Sequence, residues 1–384
     1  MTGRPRILVA PDKFKGSLTA TQAAAAIGRG LARGCPGAEI VLLPVADGGD
    51  GTVDAAVAAG YERRHAVVSG PTGEPVEACF AVRGEHAVVE MAEASGLRRL
   101  PGGRPAPLTA STTGTGQLLL AALDSGARHL VLGVGGSAST DGGAGMVQAL
   151  GARLLGASGE DLTPGGAALA GLHRIDVAGL DPRLGATDVV VAVDVDNPLV
   201  GPRGAAAVFG PQKGATPTQV AALDDALSRF ATVVHRDLGV DMASTVGGGA
   251  AGGTAAGAVA FLGARLTSGI TLVLETIGFA DALPGTDLVI TGEGSLDEQS
   301  LSGKAPIGVA RAAAAAGVPV VALVGRLEVR PEELHAVGIT HGRALLDLEP
   351  DPAAAQRGAS ALLVQLAAQV AADLPAIMMS RNSC

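Results

Sequence analysis

The chain has 384 residues, 47% of them hydrophobic and only 17% charged, with a formal net charge of −9. It is too long for one ordinary core and apolar enough to fill two, so a two-domain globular protein is expected. The acidic balance excludes general attraction to nucleic acid or to an anionic membrane surface, and with one Tyr and no Trp there is almost no surface on which bases could stack.

An apolar run at residues 7–10 leads through Val9-Ala10-Pro11-Asp12-Lys13-Phe14-Lys15-Gly16-Ser17-Leu18 into an Ala-rich helical pattern. Pro11 stops the strand, Gly16 allows a tight backbone and Ser17 is placed to cap the helix. The free N–H groups of the first turn would then face outward beside Lys13 and Lys15. Such a corner suits a phosphate or a small carboxylate; it is equally readable as a turn with solvated lysines. A helix is expected over 18–33 and a buried strand over 39–45, completing a βαβ unit. It ends in Asp47-Gly48-Gly49-Asp50-Gly51-Thr52, a flexible acidic loop opening a helix that closes at Gly60. The loop carboxylates are expected at the same sheet edge as Lys13 and Lys15, although an acidic Gly-rich loop is also often only a turn.

From His65 the texture changes. Residues 76–82 and 87–91 read as an antiparallel hairpin turning at Arg83-Gly84-Glu85, where a second domain begins. A Pro-, Gly- and Arg-rich connector over 98–107 precedes Thr109-Ala110-Ser111-Thr112-Thr113-Gly114-Thr115-Gly116, which enters a helix over 117–124 and could hold a phosphate or only cap that helix. A strand over 130–134 runs into Gly135-Gly136-Ser137-Ala138-Ser139-Thr140-Asp141-Gly142-Gly143, and a helix is expected over 146–155. Gly133 to Ala138 fits the dinucleotide form G-x-G-x-x-A, but no strand-ending acid stands at the ribose distance, so a dehydrogenase reading is weak. A second formal match beginning at Gly247 follows no good strand.

Residues 188–195 form a β-branched run ending Asp194-Val195-Asp196-Asn197-Pro198. If the strand persists, Asp194 and Asp196 share one face and suit Mg2+ or proton abstraction from a hydroxyl; the other reading is a solvated turn. Arg203 and Lys213 in the Gly-Pro loops that follow are two more cations, or exposed loop charge. Helices are expected over 217–238 and 253–266, and a strand over 287–291 leads into Gly292-Glu293-Gly294-Ser295-Leu296-Asp297-Glu298. Ser302-Gly303-Lys304-Ala305-Pro306 opens a helix to 316, but Glu298 stands where a P-loop has its first Gly and Ala305 replaces the hydroxyl residue, so a P-loop is rejected. A strand over 319–324 and an amphipathic helix over 359–374 with an unstructured tail complete the pattern. The seven histidines are scattered and no Gly-x-Ser-x-Gly elbow occurs, which argues against hydrolase triads. Cys35, Cys79 and Cys384 suggest neither disulfides nor zinc, and no apolar stretch reaches membrane-spanning length, so a cytoplasmic protein without export signal or anchor is expected.

The chain therefore begins and ends in βαβ units around a hairpin-containing middle. This is an α/β protein with a discontinuous, Rossmann-like three-layer domain over 1–65 and 286–384, a mixed α/β domain inserted over 66–285, and an active site in the cleft between them. Five stretches taken in order, those at Ala10 to Leu18, Asp47 to Thr52, Gly135 to Gly143, Asp194 to Pro198 and Thr291 to Asp297, resemble the type I glycerate kinase family nearly end to end. The resemblance implies ATP-dependent, Mg2+-assisted in-line phosphorylation of D-glycerate, commonly at the 2-hydroxyl, with the 3-hydroxyl as the alternative. It implies Lys13, Lys15 and the helix start at Ser17 near the substrate carboxylate or the transferred phosphate. Asp12, Asp47, Gly48, Gly49 and Asp50 then lie near the glycerate hydroxyls, and Gly135, Gly136, Ser137 and Ser139 near ATP. Asp194 serves as base or, with Asp196, as Mg2+ ligand, while Glu293, Ser295, Asp297 and Lys304 complete the mouth. A nucleotide- or sugar-acid-binding protein without turnover and an NAD-dependent dehydrogenase remain the other readings, and a homo-oligomer is left open.

Overall fold

The structure is a computed structural model that describes residues 4–298, 300–302 and 304–379. Gly303 of the rejected P-loop, Cys384 and the end of the expected tail lie outside the described residues. The chain is a mixed α/β protein that divides into two compact units. The first comprises Met1–Asp47, Asp54–Ala59 and Ile270–Cys384, and the second Gly48–Val53 and Gly60–Gly269. The sequence reading sets the insert at 66–285.

The first unit is built on a five-stranded, wholly parallel sheet. From edge to edge its strands are His341–Ala344, Val320–Val324, Leu288–Gly292, Arg6–Pro11 and Glu39–Leu42. The period-two geometry of a strand divides the apolar residues between two faces. Ile7, Val9, Leu288 and Ile290 join one core with Ile27, Leu31, Leu363 and Ala367 of the helices Ala20–Gly34 and Ala359–Met379. Leu8, Ala10, Val289 and Ala322 join the other with Ile307 and Ala310 of the helix Ala305–Ala315. Helix, sheet and helix thus form three layers. The first pair of helices meets backbone to backbone: a Cβ at Gly30 would lie 2.3 Å from the Val364 carbonyl oxygen.

The second unit carries a six-stranded mixed sheet ordered Arg265–Thr267, Asp188–Ala192, His129–Gly133, His86–Glu90, Pro75–Arg83 and Glu62–Ser69. The first four strands are parallel and the last two pairings antiparallel. Its core gathers Phe80, Val89, Leu118, Leu130, Leu132, Val191, Leu227, Phe230 and Phe261. The sequence reading misses the strand Glu62–Ser69, because this edge element alternates weakly, buries only Val68 and begins Glu62-Arg63-Arg64-His65. Charge on an edge strand discourages pairing with other chains and hides the strand from a periodicity search.

Several expected boundaries are corrected. The helix at 146–155 is instead Ala144–Ala149, ended before Gly151 at φ +105° and followed by the strand Arg153–Leu155. The helix at 253–266 is Thr254–Leu262, stopped by Gly263 at φ +62° before the strand Arg265–Thr267. The C-terminal helix does not end at Leu374 but continues to Met379, and Ile377 in the added turn is buried. No described helix is long and apolar enough to cross a membrane.

Candidate active site

Parallel strands deliver their following loops to one edge of a sheet, and a ligand crevice is favoured where the strand order reverses. In the first unit that reversal falls at Arg6–Pro11, with Glu39–Leu42 on one side and Leu288–Gly292 on the other. Asp12 follows the first of these strands and Glu293 the last, and both are buried. The Lys13 N–H donates to Asp12 Oδ1 at 2.6 Å, and the Lys13 ammonium pairs with Asp47 Oδ1 at 3.4 Å. Burial pushes the Asp12 carboxyl up to about 6, opposed by the Lys13 charge, reinforced by Asp47 and opposed again by the Lys13 N–H and the Lys304 charge. Burial likewise raises Glu293 to about 7; Lys304 and the Ser300 hydroxyl oppose the rise, whereas Asp12 and Asp297 add to it. The Lys304 ammonium donates to Ser300 Oγ at 2.8 Å and lies 3.8 Å from Asp297 Oδ1. Asp12, Lys13, Asp47, Glu293, Asp297 and Lys304 therefore form one charged constellation at the carboxyl edge of this sheet, and Ser295 stands beside it in a two-residue strand.

The opening corner differs from its sequence reading. Ser17 does not cap the helix: its N–H and hydroxyl both turn back onto the Phe14 carbonyl, at 2.8 and 3.0 Å. The helix starts at Ala20, capped by Thr19 in a reciprocal pair with Gln22. A closed turn from Phe14 to Leu18 thus separates the two lysines from the helix N-terminus, and Lys15 is exposed on the turn. A short Thr-x-x-Gln box is a stronger start signal than a lone Ser, and here it wins.

The second unit repeats the strand-end logic. Glu90, Gly133, Ala192 and Thr267 end four adjacent parallel strands. Glu90 is buried; its Oε1 accepts the Val53 N–H at 2.6 Å and the Gly51 N–H at 3.1 Å, fixing the loop Gly48–Val53. Backbones there are too close for side chains: a Cβ at Gly135 would stand 2.6 Å from Gly49 Cα, and one at Gly48 2.6 Å from Gly269 Cα. The Asp50 carboxylate lies 3.9 Å from the Arg98 guanidinium. The loop Gly135 to Gly143 is tied to residues 95–97 through Leu97 N–H to Gly136 O and Ala138 N–H to Ser95 O. Ser137 is buried, and the fully buried hydroxyls of Ser139 and Thr140 have no hydrogen-bond partner among the described residues. The helix after this loop begins only at Ala144, so the tight strand-to-helix turn of a dinucleotide fold is not formed.

Asp194 and Asp196 do not share a strand face. The strand stops at Ala192 because its neighbour Arg265–Thr267 ends opposite it. Asp194 is exposed and its Oδ1 accepts the Gly269 N–H at 2.8 Å and the Ser268 hydroxyl at 3.3 Å, whereas Asp196 is paired with Arg203 at 2.8 Å in an exposed loop. Sequence reasoning gave no role to Glu90 or Asp141. Glu90 carried a signal, being one more acid at a strand end like Asp12. Asp141 is fully buried and accepts the Thr112 N–H and hydroxyl at 2.9 and 2.8 Å, the Gly145 N–H at 3.2 Å and the Gly143 N–H at 3.3 Å. Lys213 is not loop charge but buried, its ammonium 2.5 Å from the Ser139 carbonyl oxygen. Burial drives its pKa down to about 7 against the pull of Asp141.

Burial raises the Glu90 carboxyl to about 7, with the Val53 and Gly51 N–H groups opposing. Its unfolded value is near 4.5, so between those values the folded state holds more protons, and stability falls as pH rises through that window. Glu90→Gln keeps the oxygen that accepts both N–H groups and removes the proton exchange. The variant is expected to show a flatter decline of the urea midpoint between pH 5 and about pH 7.5 than the parent protein.

The sequence model of the glycerate kinase family matches residues 7–375. The chain is 48% identical to a glycerate kinase of Halalkalibacterium halodurans, across 95% of this chain and 97% of that one. It is 48% identical to the glycerate 2-kinase of Escherichia coli, across 87% and 88% of the two chains. The crystal structure of a putative glycerate kinase 2 from Salmonella typhimurium superposes with a TM-score of 0.86 at 45% identity, covering 97% of this chain and 99% of that one.

Proposed function

Because this chain belongs to the glycerate kinase family, a family of phosphotransferases, we propose that it moves the terminal phosphoryl group of ATP onto the 2-hydroxyl of D-glycerate. The observation that carries the reading is the family match across residues 7–375, joined to a strand-end constellation whose cations and carboxylates suit a hydroxy acid. The choice of the 2-hydroxyl rests on the Escherichia coli relative, which bears the name glycerate 2-kinase.

Phosphoryl transfer needs an acceptor held in line and positive or N–H groups around the migrating charge. In this reading Lys13, with the exposed Lys15, receives the glycerate carboxylate, and Ser17, whose N–H and hydroxyl are both held by the Phe14 carbonyl, is left out; Asp12, Asp47, Glu293 and the Ser295, Asp297 and Lys304 group hold the hydroxyls. The Gly48, Gly49 and Asp50 loop, expected beside the glycerate hydroxyls, packs against Gly135 and is reassigned: with the Gly135, Gly136, Ser137 and Ser139 loop it receives the nucleotide through backbone N–H groups. Among the described residues no three His, Cys, Asp or Glu side chains cluster to hold a metal. This donor set fits Mg2+ held by one carboxylate plus substrate phosphates, and Asp194, exposed and oriented by the Gly269 N–H, is the side chain for it. Bound there, the ion would neutralise charge on the phosphate oxygens. Asp196, already paired with Arg203, is left out of this assignment.

The test is phosphorus NMR of the purified protein with Mg-ATP and D-glycerate. A new monoester signal coupled to one proton identifies 2-phosphoglycerate, and coupling to a methylene identifies the 3-phosphate. Unchanged ATP with ligand-induced thermal stabilisation would point instead to a binding protein, and NADH formation with NAD to a dehydrogenase.

A further inference from the structure

We infer that Glu293 is the general base that takes the proton from the attacking glycerate hydroxyl, an inference that rests on the reading of the chain as a glycerate kinase. The backbone around it is fixed. A Cβ at Gly292 would lie 1.9 Å from the Leu323 carbonyl oxygen and one at Gly294 3.1 Å from the Lys15 nitrogen, while the Glu293 carbonyl accepts the Gly325 N–H at 3.0 Å. The side chain is only 8% exposed, and its Oε1 is buried with no hydrogen-bond partner among the described residues. A carboxylate oxygen left unpaired in a buried position is costly unless something else supplies a proton to it. A substrate hydroxyl does so.

The other acids of the constellation are already engaged. Asp12 Oδ1 holds the Lys13 N–H and Asp47 pairs with the Lys13 ammonium, whereas Asp297 Oδ1 accepts the Ser300 N–H at 2.8 Å and lies near Lys304. The charged groups facing Glu293 are Asp12 from the adjacent strand end, Asp297 from its own loop and Lys304 from the start of the next helix. Burial and the two acids favour a proton on Glu293, and the Lys304 charge and the Ser300 hydroxyl oppose it, which together bring the carboxyl to about 7. A base with that affinity is half ionised near neutrality and still strong enough to accept a proton.

The step balances. The hydroxyl O–H bond breaks and its proton goes to Glu293 Oε1, the oxygen forms the new bond to the terminal phosphorus of ATP, and the bond from that phosphorus to the bridging oxygen breaks to release ADP. Glu293 returns its proton to solvent after product leaves.

The experiment compares the parent enzyme with Glu293→Gln and Glu293→Asp over pH 5.5 to about pH 9, separating kcat from KM for glycerate. The parent kcat/KM is expected to fall about tenfold per pH unit below about pH 7. Glu293→Gln is expected to lose at least about 100-fold in kcat, with KM within a few-fold and no acid limb left in the residual rate. Glu293→Asp is expected to retain partial turnover with a displaced acid limb, and it decides the matter if the Gln variant does not fold. A Gln variant with kcat within about threefold of the parent, or one that keeps the same acid limb, overturns the inference, as does a loss confined to KM or an Asp variant whose limb is unmoved. Failure of the parent enzyme to phosphorylate glycerate at any pH would instead overturn the underlying reading of function.

Discussion

Asp194→Asn is expected to lower kcat for glycerate phosphorylation by about 100- to 1,000-fold without disturbing the fold. The side chain is exposed and accepts the Gly269 N–H and the Ser268 hydroxyl at the start of the helix Gly269–Thr276. An amide oxygen can still accept both hydrogen bonds, so the local geometry is kept. What the substitution removes is the negative charge that would hold Mg2+ beside the nucleotide phosphates. The variant should therefore unfold at the parent urea concentration, need a higher Mg2+ concentration to reach half its maximal rate, and remain slow at saturation. Near-parent turnover would overturn the assignment of Asp194 to Mg2+.

Asp141→Asn is expected to destabilise the second unit by about 3–5 kcal/mol. Asp141 is surrounded only by donors: three groups converge on Oδ2, the Gly143 N–H reaches Oδ1, and the buried Lys213 ammonium feels its charge. An amide must present its NH2 to one of these donors, which loses an acceptor and adds repulsion. It also removes the charge that compensates Lys213, so that the lysine must give up its proton in the folded state. Lys213→Met is expected to cost less, because it leaves all four hydrogen bonds to Asp141 in place. In the double variant the two losses should not add, since the second change removes the buried charge that the first left uncompensated. Urea unfolding of the four proteins at pH 7 gives the coupling directly, and additive losses would show that the two charges do not interact.

Where a residue's role is set by its neighbours along the chain, the sequence disclosed it. The runs expected as strands at 7–10, 188–195 and 319–324 contain the largely buried strands Arg6–Pro11, Asp188–Ala192 and Val320–Val324, because such apolar runs have few other uses. The helix expected over 217–238 is Pro217–Leu238, and the structure closes its ends with Thr216 and Gln219 at the start and Gly239 at the finish. Strand-end acids were visible as a pattern, and Asp12, Asp47 and Glu293 meet Lys13 and Lys304 in one unit.

Where the role depends on chain distant in sequence, it was not legible. Ser17 lost the cap to Thr19 because a turn onto Phe14 intervened, and Asp196 left the strand because the neighbouring strand was too short to pair with it. Lys213 read either as a further cation for the site or as exposed loop charge, and it is buried on a carbonyl 74 residues away in sequence. Composition and local pattern determined the α/β class, most strands and helices, and the loops in which chemistry sits, since hydrogen bonds within a turn or helix reach only a few residues. Tertiary structure alone decided which acids are buried, which are paired and which are left to take a proton, because desolvation and charge pairing depend on what the fold brings within a few ångströms.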